Sequence, residues 1–517
     1  MFGIPTVPVV SETITSATDT VTLTYASPGG TPRHLVVRIN AISDATGDGQ
    51  TVKMQFNGDT GNNYNLQYMK GVSSTGSAQK FTSRGDHPLY DITDTAHNGG
   101  EALIPDAFST RTDKAFLGLF GKAEEGVFGA GGRWENTAAI TSVTLLLTTG
   151  QFAATSTFEL AVVDEAYLIS GGETILGSAA DFDSGTIAAA DGDLVLIGNL
   201  RSTYNDGGSG AANIEEVSLR FNGDTGGNYI RQRLRANNGT NINAYASTSP
   251  VVAHCAAVDA DADSFSGLIV QIPNFARSPD TSTGNDRSSL IFGGGHFSDS
   301  DQIIGFYNQR WNDTTAINQV EVYGQNTAHF VANSMLSIYA VPKGLITRTP
   351  IDTDTSTITF SSIPDTYDHL EVTVYARATR GSAMTDVVNM TFNTDTTAAN
   401  YDHQELQAAA TTISANTDAA NYRIGVYPAS SEGANEFSVG TTTIYNYKST
   451  DRNKLRLTVM GSTERVLLYS RRWESDAAIN QIVLTASNGS FSDGSVFELR
   501  GITGTPPVTF IPETRMF

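Results

Sequence analysis

The side chains that could do chemistry in this chain come in sets of three. An acidic loop recurs as FNGDTGNNY from Phe56 to Tyr64, as FNGDTGGNY from Phe221 to Tyr229, and more loosely as FNTDTTAANY from Phe392 to Tyr401. Each loop carries an Asn and an Asp: Asn57 with Asp59, Asn222 with Asp224, Asn393 with Asp395. Carboxylate and amide oxygens are the hard ligands that calcium takes, which makes the three Asp the candidate metal ligands. One carboxylate per loop is too few unless others converge, so the expectation is that no metal is held. The segment DADADS (259–264) opens like a calcium loop, yet Ser264 stands at the sixth place and Val270 at the twelfth. A calcium loop needs Gly and Glu there. The second triplet is an Arg-Trp pair: RWENTAAITSVTL at Trp134, RWNDTTAINQVEV at Trp311 and RWESDAAINQIVL at Trp473. An exposed Trp beside Asn and Asp could stack on a sugar ring, whereas a buried one anchors a core. Recurrence in every copy fits the anchor, with Arg133, Arg310 and Arg472 facing outward or pairing with a carboxylate.

No nucleophile elbow, zinc-protease helix motif or phosphate-binding glycine loop is present. Cys255 is the single cysteine and lies in the apolar run VVAHCAAV beside His254, as a buried inert thiol would. His34 and His369 recur at the start of matching strands and read as exposed turn residues. Paired carboxylates for glycoside cleavage carry no sequence signature. The chain reads as a non-enzyme without cofactors.

The elements that must position these residues are strands. Thr, Ser, Val, Ile, Tyr and Phe are abundant, and Gly, Asn and Asp clusters interrupt the chain every ten residues or so. Period-2 alternation marks 21–25, 35–40, 140–147 and 371–377. Gly58 and Gly223 suit the positive φ of a turn, and Tyr64, Tyr229 and Tyr401 restart a strand with the ring packed inward. The acidic loops repeat at spacings of about 165 and 171 residues. Ile140, Ile317 and Ile479 follow the three Trp at one fixed distance, and Phe152, Phe330 and Phe491 follow further on. The reading is all-β: three tandem antiparallel β-sandwich domains, jelly-roll-like, of about eight strands each. They span 1–168, 169–343 and 344–503, with 504–517 as an extended proline-bearing arm. The repeated positions Phe56, Phe221 and Phe392 close the strand before each loop.

Of the 517 residues, 17% are charged and the formal net charge is −22. A field of that sign repels nucleic acid and anionic membranes. No apolar run approaches the length of a membrane span, and the first Lys or Arg is Arg33, so neither secretion signal nor membrane insertion is expected. Hydrophobic residues at 39% are enough to build cores.

The order HL-x-V, FNGDTG-x-NY, W-x-x-T-x-AI and a final FELxGI resembles a repeat of tailed-bacteriophage virion proteins. That resemblance implies a virion structural protein, tail- or fibre-associated, assembled in the host cytoplasm and exposed on the particle. Its implied partners are other virion proteins, copies of itself (a trimer among the options) and a host cell-surface glycan. A capsid decoration or head-fibre protein and an array of carbohydrate-binding modules are the alternative readings. Residues 1–12 and 504–517 are the expected contacts with neighbours.

Overall fold

The computed structural model describes residues 4–25, 33–47, 49–122, 126–177, 180–188, 192–205, 213–239, 241–273, 275, 286–326, 328–341, 345–381, 384–418, 420, 422–432 and 436–504. These residues form thirty-six strands, two short 3-10 turns and no α-helix.

The first copy contributes β1 (Thr6–Thr13), β2 (Thr20–Thr24), β3 (Leu35–Ala41), β4 (Gln50–Phe56), β5 (Tyr64–Val72), β6 (Thr75–Arg84), β7 (His87–Ile92), β8 (Asn98–Ile104), β9 (Lys114–Lys122), β10 (Gly126–Trp134), β11 (Ser142–Leu147) and β12 (Thr157–Val163). They build an eight-stranded sheet in the order β1-β12-β3-β8-β9-β10-β5-β6 and a four-stranded sheet in the order β2-β11-β4-β7. Successive strands cross from one sheet to the other except at the hairpin β5-β6 and the meander β8-β9-β10, which stay within the larger sheet. The second copy (β13–β24) and the third (β25–β36) repeat both sheets strand for strand. Every pairing between named strands is antiparallel.

Each copy therefore has twelve strands, not eight. The strands missed by the alternation argument are rich in glycine, such as β10, GVFGAGGRW, and read locally as turns. Gly129 explains the bias. A Cβ placed there would lie 2.5 Å from Cε2 of Phe306 in the second copy. Glycine thus marks close approach between copies, not chain reversal.

The two sheets differ in burial pattern. In the four-stranded sheet β2 reads exposed-buried-exposed and β11 alternates likewise, because its outer face meets water. In the eight-stranded sheet β3, β8, β9 and β10 are buried at every residue. One face packs inside the sandwich, where Leu35, Val37 and Ile39 join Phe56 and Trp134. The other packs on the neighbouring copies. Val36, Met69 and Leu117 of the first copy, Leu234 and Phe306 of the second, and Leu406 and Leu468 of the third belong to one continuous core. The three copies surround a pseudo-threefold axis. Near it, a Cβ on Gly76 would meet Leu406, Ile413 and Ile242, side chains of the other two copies.

One sequence expectation is corrected here. His34 and His369 are buried, not exposed. Each ring accepts a backbone N–H at Nδ1, from Asp106 at 3.2 Å and from Asn446 at 3.0 Å respectively. His34 also reaches across to Ser337 of the second copy at 3.2 Å. Within 1–12, Thr6–Glu12 lies in β1, the edge strand that pairs with β12, and Ile4 is buried in the shared core. The arm expected over 504–517 lies, beyond Gly504, outside the described residues.

Replacing Gly129 by Val should overpack the contact with Phe306 and cost about 1–3 kcal/mol. A urea midpoint unchanged from that of the parent chain would mean that the copies do not meet at this point.

Candidate functional site

The two sequence motifs turn out to be one structure. The indole N–H of Trp134 donates to Oδ2 of Asp59 at 2.8 Å. Trp311 does the same to Asp224 at 2.7 Å, and Trp473 to Asp395 at 2.8 Å. The other lone pairs are used as well. Asp224 accepts from the backbone of Gly226 at 2.7 Å and from the Asn228 amide at 2.9 Å. The indole of Trp311, then the Asn228 amide, holds the Asp224 carboxyl below its ordinary range. These carboxylates are occupied by N–H donors, which leaves little of the oxygen that calcium would need.

The Asn and Tyr of the motif complete the clasp. Asn57 donates to the carbonyl of Ala139 at 2.8 Å and accepts from the backbone of Thr141 at 2.7 Å. Asn222 and Asn393 make the matching bonds to Ala316 and Ala478. The Tyr64 hydroxyl accepts from the backbone of Phe56 at 2.9 Å and donates to the carbonyl of Asp59 at 3.0 Å. Tyr229 and Tyr401 accept in the same way from Phe221 and Phe392. The third loop keeps the geometry without its glycine: Thr394 takes φ 64°, close to the 67° of Gly58 and Gly223. All three Trp are buried, so none offers a sugar platform.

The calcium-like loop also has a cation of its own. The Arg201 guanidinium donates to the carbonyls of Asp261 (2.6 Å), Ser264 (3.1 Å), Ala260 (3.0 Å) and Val258 (3.2 Å). Among the described residues, one group of three metal-capable side chains gathers: Glu135, Asp261 and His296, where the first two copies meet. Arg133 lies among them, ion-paired with Glu135 and, at 2.8 Å, with Asp261. Its positive charge occupies the place a metal ion would need. Cys255 is fully buried, and burial pushes its thiol well up, away from the reactive thiolate.

Residues that sequence reasoning passed over close the ring between copies. Gln67 accepts from the backbone of Gly239, at a hairpin tip of the second copy, at 2.9 Å. Gln232 donates to the carbonyl of Ala410, at the matching tip of the third copy, at 3.0 Å. Gln404 donates to the carbonyl of Ser73, at the tip of the first, at 3.0 Å. First grips second, second grips third, third grips first. The signal was available: each Gln follows the motif Tyr by three residues. Charge pairs accompany the ring, with Arg310 to Glu436 at 2.7 Å and Arg500 to Asp193 at 2.7 Å. A cleft of about 160 Å³ opens where the first and third copies meet, lined by Arg38, Asn40, Glu159, His369 and Tyr445 among others.

No family model and no curated protein matches the chain. Among solved structures, the LG1-3 region of the laminin α2 chain aligns over 95% of this chain and 96% of its own, with 7% identity and a TM-score of 0.15. Exo-inulinase from Aspergillus awamori aligns over 98% and 99%, with 9% identity and a TM-score of 0.23. A chain of the lipid-containing bacteriophage PM2 aligns over 96% and 99%, with 7% identity and a TM-score of 0.10. Scores this low establish no common fold. Among the described residues no helix is long and apolar enough to cross a membrane.

Two measurements test this geometry. A double-mutant cycle on Asp224→Ala and Trp311→Phe should give a coupling of about 0.5–3 kcal/mol in unfolding free energy. Strict additivity would dissolve the clasp. The second concerns His87, buried among Phe56, Tyr64 and Phe116. Burial lowers its pKa from 6.5 to about 3. The unfolded chain therefore takes up a proton that the folded chain refuses. Stability is full above the unfolded value and is lost as pH falls toward the folded one. His87→Phe should flatten the loss between neutral pH and pH ~4.5 in urea titrations. An equal loss in both proteins would show that the ring is not held neutral.

Proposed function

We propose that this chain is a structural component of a tailed-bacteriophage virion, tail- or fibre-associated, that serves assembly or host-surface attachment without catalysing a reaction. The observation that carries the reading is the closed ring of Gln67, Gln232 and Gln404. One polypeptide supplies a threefold arrangement that other chains reach only by associating. Three equivalent surfaces fixed in one body can meet three equivalent partners at once, and the gain comes as avidity. The order of the repeated motifs supports a virion origin, and the net charge of −22 argues against nucleic acid as partner. The pseudo-threefold body also suits a threefold position on a head lattice, which keeps capsid decoration as the second reading. The buried tryptophans weigh against an array of sugar-stacking modules.

Immunogold labelling of purified particles with antibodies to the chain distinguishes these readings. Labelling confined to the tail, at a few to tens of copies, supports the first. Hundreds of copies over the head support the second. Particles free of the protein would sink both.

A further inference from the structure

The third copy buries a row of cationic side chains inside its sandwich. Arg456 on β33 (Lys454–Gly461) faces Arg471 on β34 (Arg465–Trp473) across one strand pair, and Arg471 faces His403 on β29 (Tyr401–Ala409). Neighbours in such a row have Cβ atoms about 4.5–5.5 Å apart. All three side chains turn into the sandwich, on the face that carries Tyr401, Tyr469 and Met460. All three are fully buried.

Ring faces cover part of the guanidinium planes. Arg471 lies over Tyr469 at 4.2 Å, and Arg456 over Phe392 at 5.0 Å. The N–H edges are another matter. Arg456 donates from Nη1 to the carbonyl of Met390 at 3.4 Å, but its Nε and Nη2 have no acceptor. Arg471 has none at Nε, Nη1 or Nη2, and neither ring nitrogen of His403 has a partner. Two carboxylates lie close enough to favour the charged arginines, but neither accepts a hydrogen bond from Arg456 or Arg471. Glu405 pairs with Arg423 at 3.7 Å, and Asp402 lies on the opposite face with Arg472 at 2.8 Å. Burial lowers the Arg471 pKa to about 9 and that of Arg456 to about 10, so both remain charged at neutral pH.

The other two copies carry less charge in this row. In the first it is Phe116, Gly132 and Leu66, without a charge. In the second it is Ser289, Gln309 and Arg231. There Arg231 donates to the carbonyl of Val251 at 2.7 Å, and Gln309 to those of Leu219 and Pro250 at 3.1 and 3.2 Å. In the third copy two guanidinium groups face each other directly across a strand pair, and one of them, Arg471, has no acceptor at any of its three nitrogens. Buried charge that is only partly compensated is among the costliest features a core can carry. Water could satisfy the N–H groups but not the charge.

We infer that a small inorganic anion is bound inside the third sandwich between Arg456 and Arg471. A monatomic anion is the smallest that can accept from both groups in a close-packed interior, and chloride is the abundant one. The anion accepts the free N–H edges and makes the row neutral enough to bury.

Crystals of the full chain grown in sodium bromide test this directly. A bromide anomalous peak is expected within about 3.5 Å of both guanidinium groups. A map without that peak overturns the inference, and this measurement needs no variant. Solution data add a second test. The Tm should rise by several degrees when glutamate is replaced by chloride at constant ionic strength, because a ligand of the folded state stabilises it. Chain carrying Arg456→Ser with Arg471→Gln, the side chains of the second copy, should lose that response. Equal responses in both proteins would reduce the effect to general salt and count against the site; sulfate acting as well as chloride would count against a monatomic ion.

Discussion

Burial of both faces of the inner strands of the eight-stranded sheet is the constraint on which the rest of this structure depends. A sandwich normally shows water the outer face of each sheet. Here that holds for the four-stranded sheet, and the inner strands of the larger sheet are covered on their far side by its two counterparts. No copy completes its own burial. The unit of stability is the ring of three, and the ring closes because each copy grips the next with a glutamine placed at the same position. A closed arrangement leaves no unmatched interface at either end.

Beside that shared core, each copy keeps a private one organised by the Asp-Trp clasp. Trp is the largest side chain available to fill a sandwich, but its N–H must be paired when buried. The loop Asp supplies the acceptor, and Asn and Tyr pin the loop in place. The clasp tolerates the change from Gly58 to Thr394 because the backbone conformation, not the side chain, is what the loop needs.

The copies have diverged where packing permits. The clasp is the same three times, whereas the inward row beside it runs from apolar in the first copy to doubly cationic in the third. The seams differ too. His34 meets Ser337, and Asp193, at the matching position of the second copy, meets Arg500. Each seam thus carries its own polar pattern, which distinguishes neighbours that share a backbone plan and holds the copies in their order around the ring.

Local pattern determined a good deal. Thr, Val and aromatic runs with period-2 alternation made the chain all-β, and the matched motifs set out three copies, because turn chemistry and strand alternation are short-range properties. Tertiary structure decided the rest. Glycine in β10 reads as a turn in isolation, but the segment is a strand because it pairs along its length with β9 and β5, and at Gly129 Phe306 of another copy packs where a side chain would stand. His34 and His369 look like turn residues until the neighbouring elements cover them. The link between Asp59 and Trp134 joins residues far apart in the chain, and the ring joins residues farther apart still. No local pattern carries such contacts, since their partners are set by how whole sheets pack.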